Sequence, residues 1–333
     1  MKVLKSLSEF GRIRKGCVLT IGNFDGVHIG HQEILRTARS LAADCGAEMV
    51  VMTFEPHPVA VLYPEKAPGV LTPLPLKLDL LRPYADNCVI VLEDNRELLR
   101  LSPEQFIDEF LMATFAPRFI VEGQDFHFGA GRAGDIETLG AFGRRKGFDV
   151  VVVPPKQMTL PMGETIRVSS TVIRYMLESG HVADAAIALS RPYRLLGPIV
   201  SGRGRGRQLG FPTLNMARPE QVIPAEGVYA GFVEVADDPD PGAPGLSKAE
   251  RLPAAFSIGE IRTFEERHPL LIEAHVLDEP AGDLTRKWMV MEFVRHLRPQ
   301  HKFTSPDELV AQIGRDCDQA RTVLKEYVQG ETP

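Results

Sequence analysis

Short apolar runs recur through the first half of the chain, at 18–21, 49–53, 89–92, 119–121 and 150–153. Each is rich in Val, Ile or Phe and continuous rather than alternating, as expected for a strand buried on both faces. Segments with the helical period lie between most of them. In HQEILRTARSLAADCG (31–46), Ile34, Ala38, Leu41 and Ala42 fall on one predicted face and Gly46 supplies a stop. SPEQFIDEFLMATF (102–115) opens with Ser102, Pro103 and Gln105, the arrangement of a capping box. Strand, helix and strand in repetition predict a doubly wound α/β domain with a parallel sheet. The proline-rich stretch 56–75 predicts no helix and reads as a mobile flap or a plain surface loop.

The pattern changes towards the C-terminus. RVSSTVIRYMLESGHVADAAIALSRP (167–192) is helical in character, with Ser169 or Ser170 as a cap and Gly180 as an end. Beyond Pro192, the runs YRLLGPIVSG, GVYAGFVEV, LPAAFSIGE, LIEAHVLD and KWMVMEFVRHL are separated by Gly, Pro and Asp. That spacing predicts an antiparallel barrel or sandwich. DDPDPGAPGLSK (237–248) reads as a disordered hairpin tip. The last element is a helix opened by Ser305, Pro306 and Glu308, with Leu309, Ile313, Cys317 and Leu324 turned to the sheet. The predicted domain boundary falls near 185–192, and a chain of 333 residues suits two domains.

Charge and cysteine usage narrow the class. A formal net charge of −6 argues against a general nucleic-acid binder. Cys17, Cys45, Cys88 and Cys317 are far apart and form no Cys-x-x-Cys pair, so they read as free thiols. The basic N-terminus lacks the apolar stretch of a signal peptide, and no apolar run is long enough to span a bilayer. The expected location is the cytoplasm.

The candidate chemistry begins at GNFDGVHIGH (22–31), directly after the first predicted strand. In a doubly wound sheet, ligands bind beyond the carboxyl ends of the strands. Gly22 and Gly26 let the backbone approach a ligand, and the following helix start favours phosphate. His28 and His31 share a face and suit donation to phosphate oxygens. The alternatives are packing or capping histidines, or half of a metal site that no nearby Cys or acidic set completes. A second candidate is SGRGRGRQLGFPTLN (201–215). It reads as a solvated basic loop or as a cradle for nucleotide phosphates, with Thr213 and Asn215 as hard ligands suited to Mg²⁺. Pro212 and the strand-like run after it do not fit a dinucleotide fold, and one short Arg-Gly copy is thin support for RNA.

GNFDGVHIGH resembles the His-x-Gly-His signature of nucleotidyltransferases and, in detail, the bacterial riboflavin kinase/FAD synthetase family. Further blocks follow in the family's order: TFEPHP (53–58), VEGQDFHFGAGRAGD (121–135), VSSTVIR (168–174), GRGRQLGFPTLN (204–215), GVYAGFV (227–233) and LIEAHVLD (271–278). The resemblance implies a Rossmann-like FMN adenylyltransferase domain at 1–187. An antiparallel riboflavin kinase barrel with a C-terminal helix is implied at 188–333. In the first domain it implies ATP at Gly22, Phe24, Asp25 and Gly26, with His28 and His31 at the triphosphate. Ser169, Ser170 and Arg174 become phosphate donors, and His57, Asp125 and Phe126 become flavin contacts. In the second domain it implies ATP phosphates at Gly204, Arg205 and Gly206, Mg²⁺ at Thr213 and Asn215, and Glu273 as the base for the riboflavin hydroxyl. Taken by its pattern alone, that strand carboxylate would simply face solvent.

The implied partners are riboflavin, FMN and ATP, with FMN and FAD as products and no nucleic acid or membrane; oligomer formation is left open. Two segments depart from the family pattern. Arg262 stands where a proline is expected, and Thr285 and Arg286 stand where Tyr-Gly is expected. These departures leave two other readings, an adenylyltransferase with an impaired kinase or a flavin-binding regulator without catalysis.

Overall fold

The computed structural model describes the chain except residues 1, 6, 12, 86–87, 94–95, 161–162, 203, 237–249, 261–269, 278–286 and 331–333. The side chains of residues 7, 8, 205 and 260 are also outside the description. The expected hairpin tip at 237–248 and the departures at Arg262, Thr285 and Arg286 therefore lie outside the described residues.

The described chain packs as two compact units. The first contains Met1–Pro68 and Lys77–Ser169, and the second contains Gly69–Leu76 and Ser170–Pro333. In the first unit, the strands are β1 (Lys2–Leu4), β2 (Val18–Ile21), β3 (Met49–Phe54), β4 (Cys88–Leu92), β5 (Phe119–Gly123) and β6 (Asp149–Val153). They form a sheet in the order β1-β4-β3-β2-β5-β6, and every pairing is parallel. All four residues of β2 and all five of β4 are buried, as continuous apolar runs between helical layers must be.

The helices along this part of the chain are α1 (Leu7–Phe10), α2 (Ile29–Cys45), α3 (Pro58–Leu62), α4 (Leu74–Leu81), α5 (Pro103–Gln105) and α6 (Ile136–Lys146). Helix α2 ends at Gly46, whose left-handed backbone donates its N–H to Ala42 and Ala43. Its buried face is Gln32, Leu35, Ala38 and Ala42. The expected face is corrected here, because Ile34 and Leu41 are only half-buried. Gln32 is drawn inward because its amide donates to the Val27 carbonyl. The capping box at Ser102 and Gln105 is present, but the helix then opens into π-type turns over Phe106–Met112. The expectation that 56–75 holds no helix is also corrected. The His57 ring accepts from the Val59 N–H, and Pro58 occupies the first turn of α3, where its missing N–H is harmless.

A hairpin, β7 (Gln157–Thr159) and β8 (Thr165–Arg167), leads to α7 (Ser170–Glu178) and α8 (Val182–Leu189). Both of these helices group with the second unit. The second unit's strands are β9 (Tyr193–Val200), β10 (Leu214–Met216), β11 (Gly227–Ala236), β12 (Leu252–Glu260), β13 (Leu270–Val276) and β14 (Trp288–Arg298). They close as an antiparallel barrel in the order β10-β13-β12-β11-β14-β9. Closure removes exposed strand edges, so a barrel rather than a sandwich is formed. One helical turn, α9 (Arg205–Gln208), sits in the glycine- and arginine-rich segment.

The last helix, α10 (Pro306–Gln329), is capped by Ser305 and packs Cys317, Ala320, Val323 and Leu324 into an apolar cluster with Phe232 and Val294. Ile313 borders that cluster, whereas Leu309 is only half-buried. A fork of hydrogen bonds pins α10 to β14: Arg298 Nε and Nη2 donate to the two oxygens of buried Asp316 at 2.9 and 2.6 Å. Asp316→Ala would leave the guanidinium without its buried partner. It should lower the unfolding free energy of this unit by about 3–5 kcal/mol. Trp288, the single tryptophan, begins β14 and reports the transition by fluorescence in a urea titration. A loss below about 1 kcal/mol, the range of an exposed pair, would contradict this account.

Candidate active sites

The first candidate site lies where two central strands part. β2 and β5 pair only at Val18 with Phe119 and Leu19 with Ile120, while β2 stays paired with β3 through Ile21. The chain order of the sheet reverses at this gap, the place where open α/β sheets bind ligands. Glu122 closes the gap below. Its carboxyl is buried, and Oε1 accepts the Ile21 N–H at 2.6 Å. Burial holds this group well above the ordinary glutamate range, partly offset by the Ile21 N–H, so its protonated form is favoured. Its sequence signal is a charged residue inside the buried run FIVEG.

The turn 22–28 rises directly from that floor. Gly26 has φ +86°, a conformation that favours glycine, and it is flanked by Phe24 at +45° and Val27 at +40°. Such a run of positive φ persists only where the surroundings hold it. Gly22 donates its N–H to Met52, Val27 donates to Phe24, and the Thr53 hydroxyl donates to the Asn23 carbonyl at 3.1 Å. Asp25 is buried within the turn.

His28 is the N-cap of α2 and is buried. Its Nδ1 accepts the His31 N–H at 3.3 Å, which leaves the proton of the neutral ring on Nε2. The two imidazoles stack at 3.6 Å between centroids, and Phe24 meets the His31 ring edge-on at 5.4 Å. Burial, then the charge on His28, then the charge on Lys77 hold His31 well below the usual histidine range. The stacked pair therefore stands at the start of α2, where backbone N–H groups and the helix dipole favour an anion.

Next to the turn, Asn23 and His57 lie 3.0 Å apart through Nδ2 and Nε2. His57 Nδ1 already accepts from Val59, so Nε2 carries the ring proton. The contact is satisfied when the Asn23 amide presents its oxygen to Nε2–H. Asp125 is exposed and ion-paired with Arg167 of β8. Phe126 is half-buried and stacks on Phe128 at 5.8 Å. Ser169 packs with the first unit, while Ser170 opens α7 in the second. Arg174 also lies in the second unit and donates Nε–H to the Gly69 carbonyl at 2.6 Å. Asn23, Lys77, Glu122 and Arg167 were not among the residues singled out from sequence.

The second candidate site lies on the barrel. β10 pairs with β13 so that Asn215 stands opposite Glu273, and the Thr213 hydroxyl lies 3.4 Å from Glu273 Oε1. Ile272, Ala274 and Val276 are buried on one side of β13, which puts Glu273 and His275 on the other. His275 Nδ1 lies 2.8 Å from the Pro212 carbonyl and anchors the loop beside Thr213. Glu273 is therefore roofed by this loop rather than left to solvent, and burial pushes its carboxyl up, partly offset by the Thr213 hydroxyl. Gly204 (φ +70°) precedes α9, and Arg205 and Gly206 open it. A Cβ on Gly206 would come within 2.3 Å of the Phe211 carbonyl and 3.3 Å of Thr213 Oγ1, so only glycine allows this close fold. Hydroxyl, amide and carboxylate oxygens in one place fit a hard cation such as Mg²⁺. Among the described residues, no group of three His, Cys, Asp or Glu forms a metal cage.

The comparisons with known proteins follow the same division. The FAD synthetase family model matches residues 11–172, and the riboflavin kinase family model matches residues 189–324. The chain belongs to the riboflavin kinase/FAD synthetase family. It is 34% identical over 317 residues to the bifunctional riboflavin kinase/FMN adenylyltransferase of Escherichia coli K12, covering 95% of this chain and 96% of that one. It is 32% identical to the protein of the same name from Bacillus subtilis, covering 91% of each. A crystal structure titled macrolide-efflux protein from Streptococcus pneumoniae aligns with TM-score 0.74 and 26% identity, over 96% of this chain and 98% of that one. No helix among the described residues is long and apolar enough to cross a membrane.

Glu122 generates a stability test. In the native state its acid stays protonated above the ordinary value of 4.5, whereas unfolded it ionises there. The native state then holds more protons, and this group's contribution to stability falls as pH rises through the window above 4.5. Glu122→Gln keeps an acceptor for Ile21 and removes the titration. Its Tm should gain on wild type as pH rises above 4.5, the ordinary value from which the native group is raised. Parallel Tm curves would show that Glu122 does not titrate in this way.

Proposed function

We propose that the protein makes flavin cofactors in two steps, phosphorylating riboflavin to FMN and adenylylating FMN to FAD, with ATP as donor in both. We assign the second step to residues 1–187 and the first to residues 188–333. The observation that carries the reading is the presence of both site types in a chain matched along both parts by the corresponding family models. Thr213, Asn215 and Glu273 lie together, which favours a working kinase over a retired barrel.

In the adenylyl step, an FMN phosphate oxygen attacks the α-phosphorus of ATP, and the bond to pyrophosphate breaks. The amides of turn 22–26 and the start of α2 hold the phosphates, and His28 and His31 donate to their oxygens as charge builds. Ser169, Ser170 and Arg174 add further donors, with Arg174 suited to a bidentate grip. His57, Asp125 and Phe126 serve the flavin. In the kinase step, Glu273 takes the proton of the riboflavin 5′-hydroxyl while that oxygen attacks the γ-phosphorus and ADP leaves. Its raised pKa moves it towards the range of an effective base. The backbone of 204–206, with the charge of Arg205, receives the ATP phosphates. Thr213 and Asn215 would hold Mg²⁺, which when bound neutralises phosphate charge. Free cysteines at 17, 45, 88 and 317 suit a reducing cytoplasm. The partners are these small molecules, without nucleic acid or membrane.

The two steps should separate by mutation. His28→Ala or His31→Ala should cut FAD formation from FMN by on the order of 10²–10³, the usual cost of one transition-state donor. Glu273→Gln should cut FMN formation from riboflavin by roughly 10², within the range for a general base. Each variant should leave the other step near wild type when flavins are resolved by chromatography. Wild-type protein that yields no FMN from riboflavin, ATP and Mg²⁺ would overturn the kinase half.

A further inference from the structure

Lys77 is buried at 4% exposure, although lysine is rarely buried without strong pairing. Its pairing here is loose: Nζ lies 3.3 Å from the Phe54 carbonyl and 3.5 Å from Glu55 Oε2. An ammonium taken out of water for two long contacts costs stability, and an apolar residue of similar shape would serve packing as well or better. The cost calls for another return, and the place of Lys77 supplies one.

Phe54 ends β3 and Glu55 continues it, so Lys77 grips the exit of that strand. The Glu55 N–H is fixed on the other side by the Leu92 carbonyl at 3.0 Å. On either side of this grip, the same short segment reaches the nucleotide turn twice. Thr53 donates to the Asn23 carbonyl, and the His57 ring meets the Asn23 side chain. Lys77 is also close enough for its charge to help keep His31 neutral.

Resting on the adenylyltransferase reading, we propose that Lys77 is a positioning residue for that step, clamping the Phe54–Glu55 exit so that Thr53 and His57 hold Asn23 and its turn in the reactive geometry. It acts through Asn23 and does not itself bind the nucleotide. Small misplacements of reacting groups are costly, so Lys77→Met should lower kcat for FMN adenylylation roughly 10- to 100-fold. KM for ATP should stay within about threefold, because uniform ground-state binding is untouched. Tm and riboflavin phosphorylation should match or exceed wild type.

The route through Asn23 is tested by a double-mutant cycle on the full-length protein. Lys77→Met with Asn23→Ala should be little slower than Asn23→Ala alone, since residues acting as one unit are not additive. Lys77→Arg keeps the charge and should recover part of kcat, and it serves as the folded comparison if Lys77→Met does not accumulate. A kcat within twofold of wild type, or losses that multiply in the double variant, would overturn the proposal. So would a raised KM for ATP as the main effect, or a rate loss that follows a fall in Tm. If the wild-type protein forms no FAD from FMN, the adenylyltransferase reading itself fails, whereas an active wild type with an equally active Lys77→Met removes only this inference.

Discussion

The first unit depends on a hydrogen bond that replaces a strand pairing. Above Leu19 and Ile120, β2 and β5 cease to be partners, and the Ile21 N–H would be left buried without an acceptor. Glu122 supplies that acceptor from its side chain. An unpaired buried amide costs on the order of 1–3 kcal/mol, so the split in the sheet needs such a group. Burial favours the protonated form of this carboxyl, which can still accept through its carbonyl oxygen. The split opens the crevice, the crevice frees the turn 22–28, and the turn sets the stacked histidines at the start of α2.

The two candidate sites are built by different means. At the parallel sheet, the groups brought together are backbone amides of a strained turn, a helix start and two stacked imidazoles. On the barrel, a glycine-dependent fold beside Thr213 brings hard oxygen donors against a half-buried carboxylate. The difference follows from the frames. A parallel sheet ends in helix starts at its carboxyl edge, whereas an antiparallel barrel has none there and gathers its polar groups on a loop.

Much of this was legible in the sequence because local rules agreed. Continuous Val/Ile runs gave the strands, buried except in β6 at the sheet edge, where Val152 is exposed; Gly46 gave the end of α2, and Ser102 and Ser305 gave helix starts with the expected side-chain caps. The motif at 22–31 marked the strained turn and the start of α2, where His28 and His31 stack. Where reading failed, one force had masked another. Prolines at 56–75 suggested no helix, yet Pro58 fits the first turn of one. Ile34 and Leu41 look more apolar than Gln32, but a hydrogen bond to Val27 draws Gln32 inward. Glu122 and Lys77 were passed over because pattern reading treats a lone charge in an apolar run as noise. Their partners, Ile21 and Phe54, are backbone groups, which side-chain patterns do not display.

The central claim is that one chain carries two separate catalytic sites joined by a free intermediate. Mixing the His28→Ala and Glu273→Gln proteins tests it most directly, with riboflavin, ATP and Mg²⁺ as the only substrates and FAD as the readout. Each variant alone should form little FAD, the first stopping at FMN and the second at riboflavin. The mixture should restore FAD synthesis, because FMN released by one protein is adenylylated by the other. A mixture that forms no more FAD than either variant alone would contradict the account.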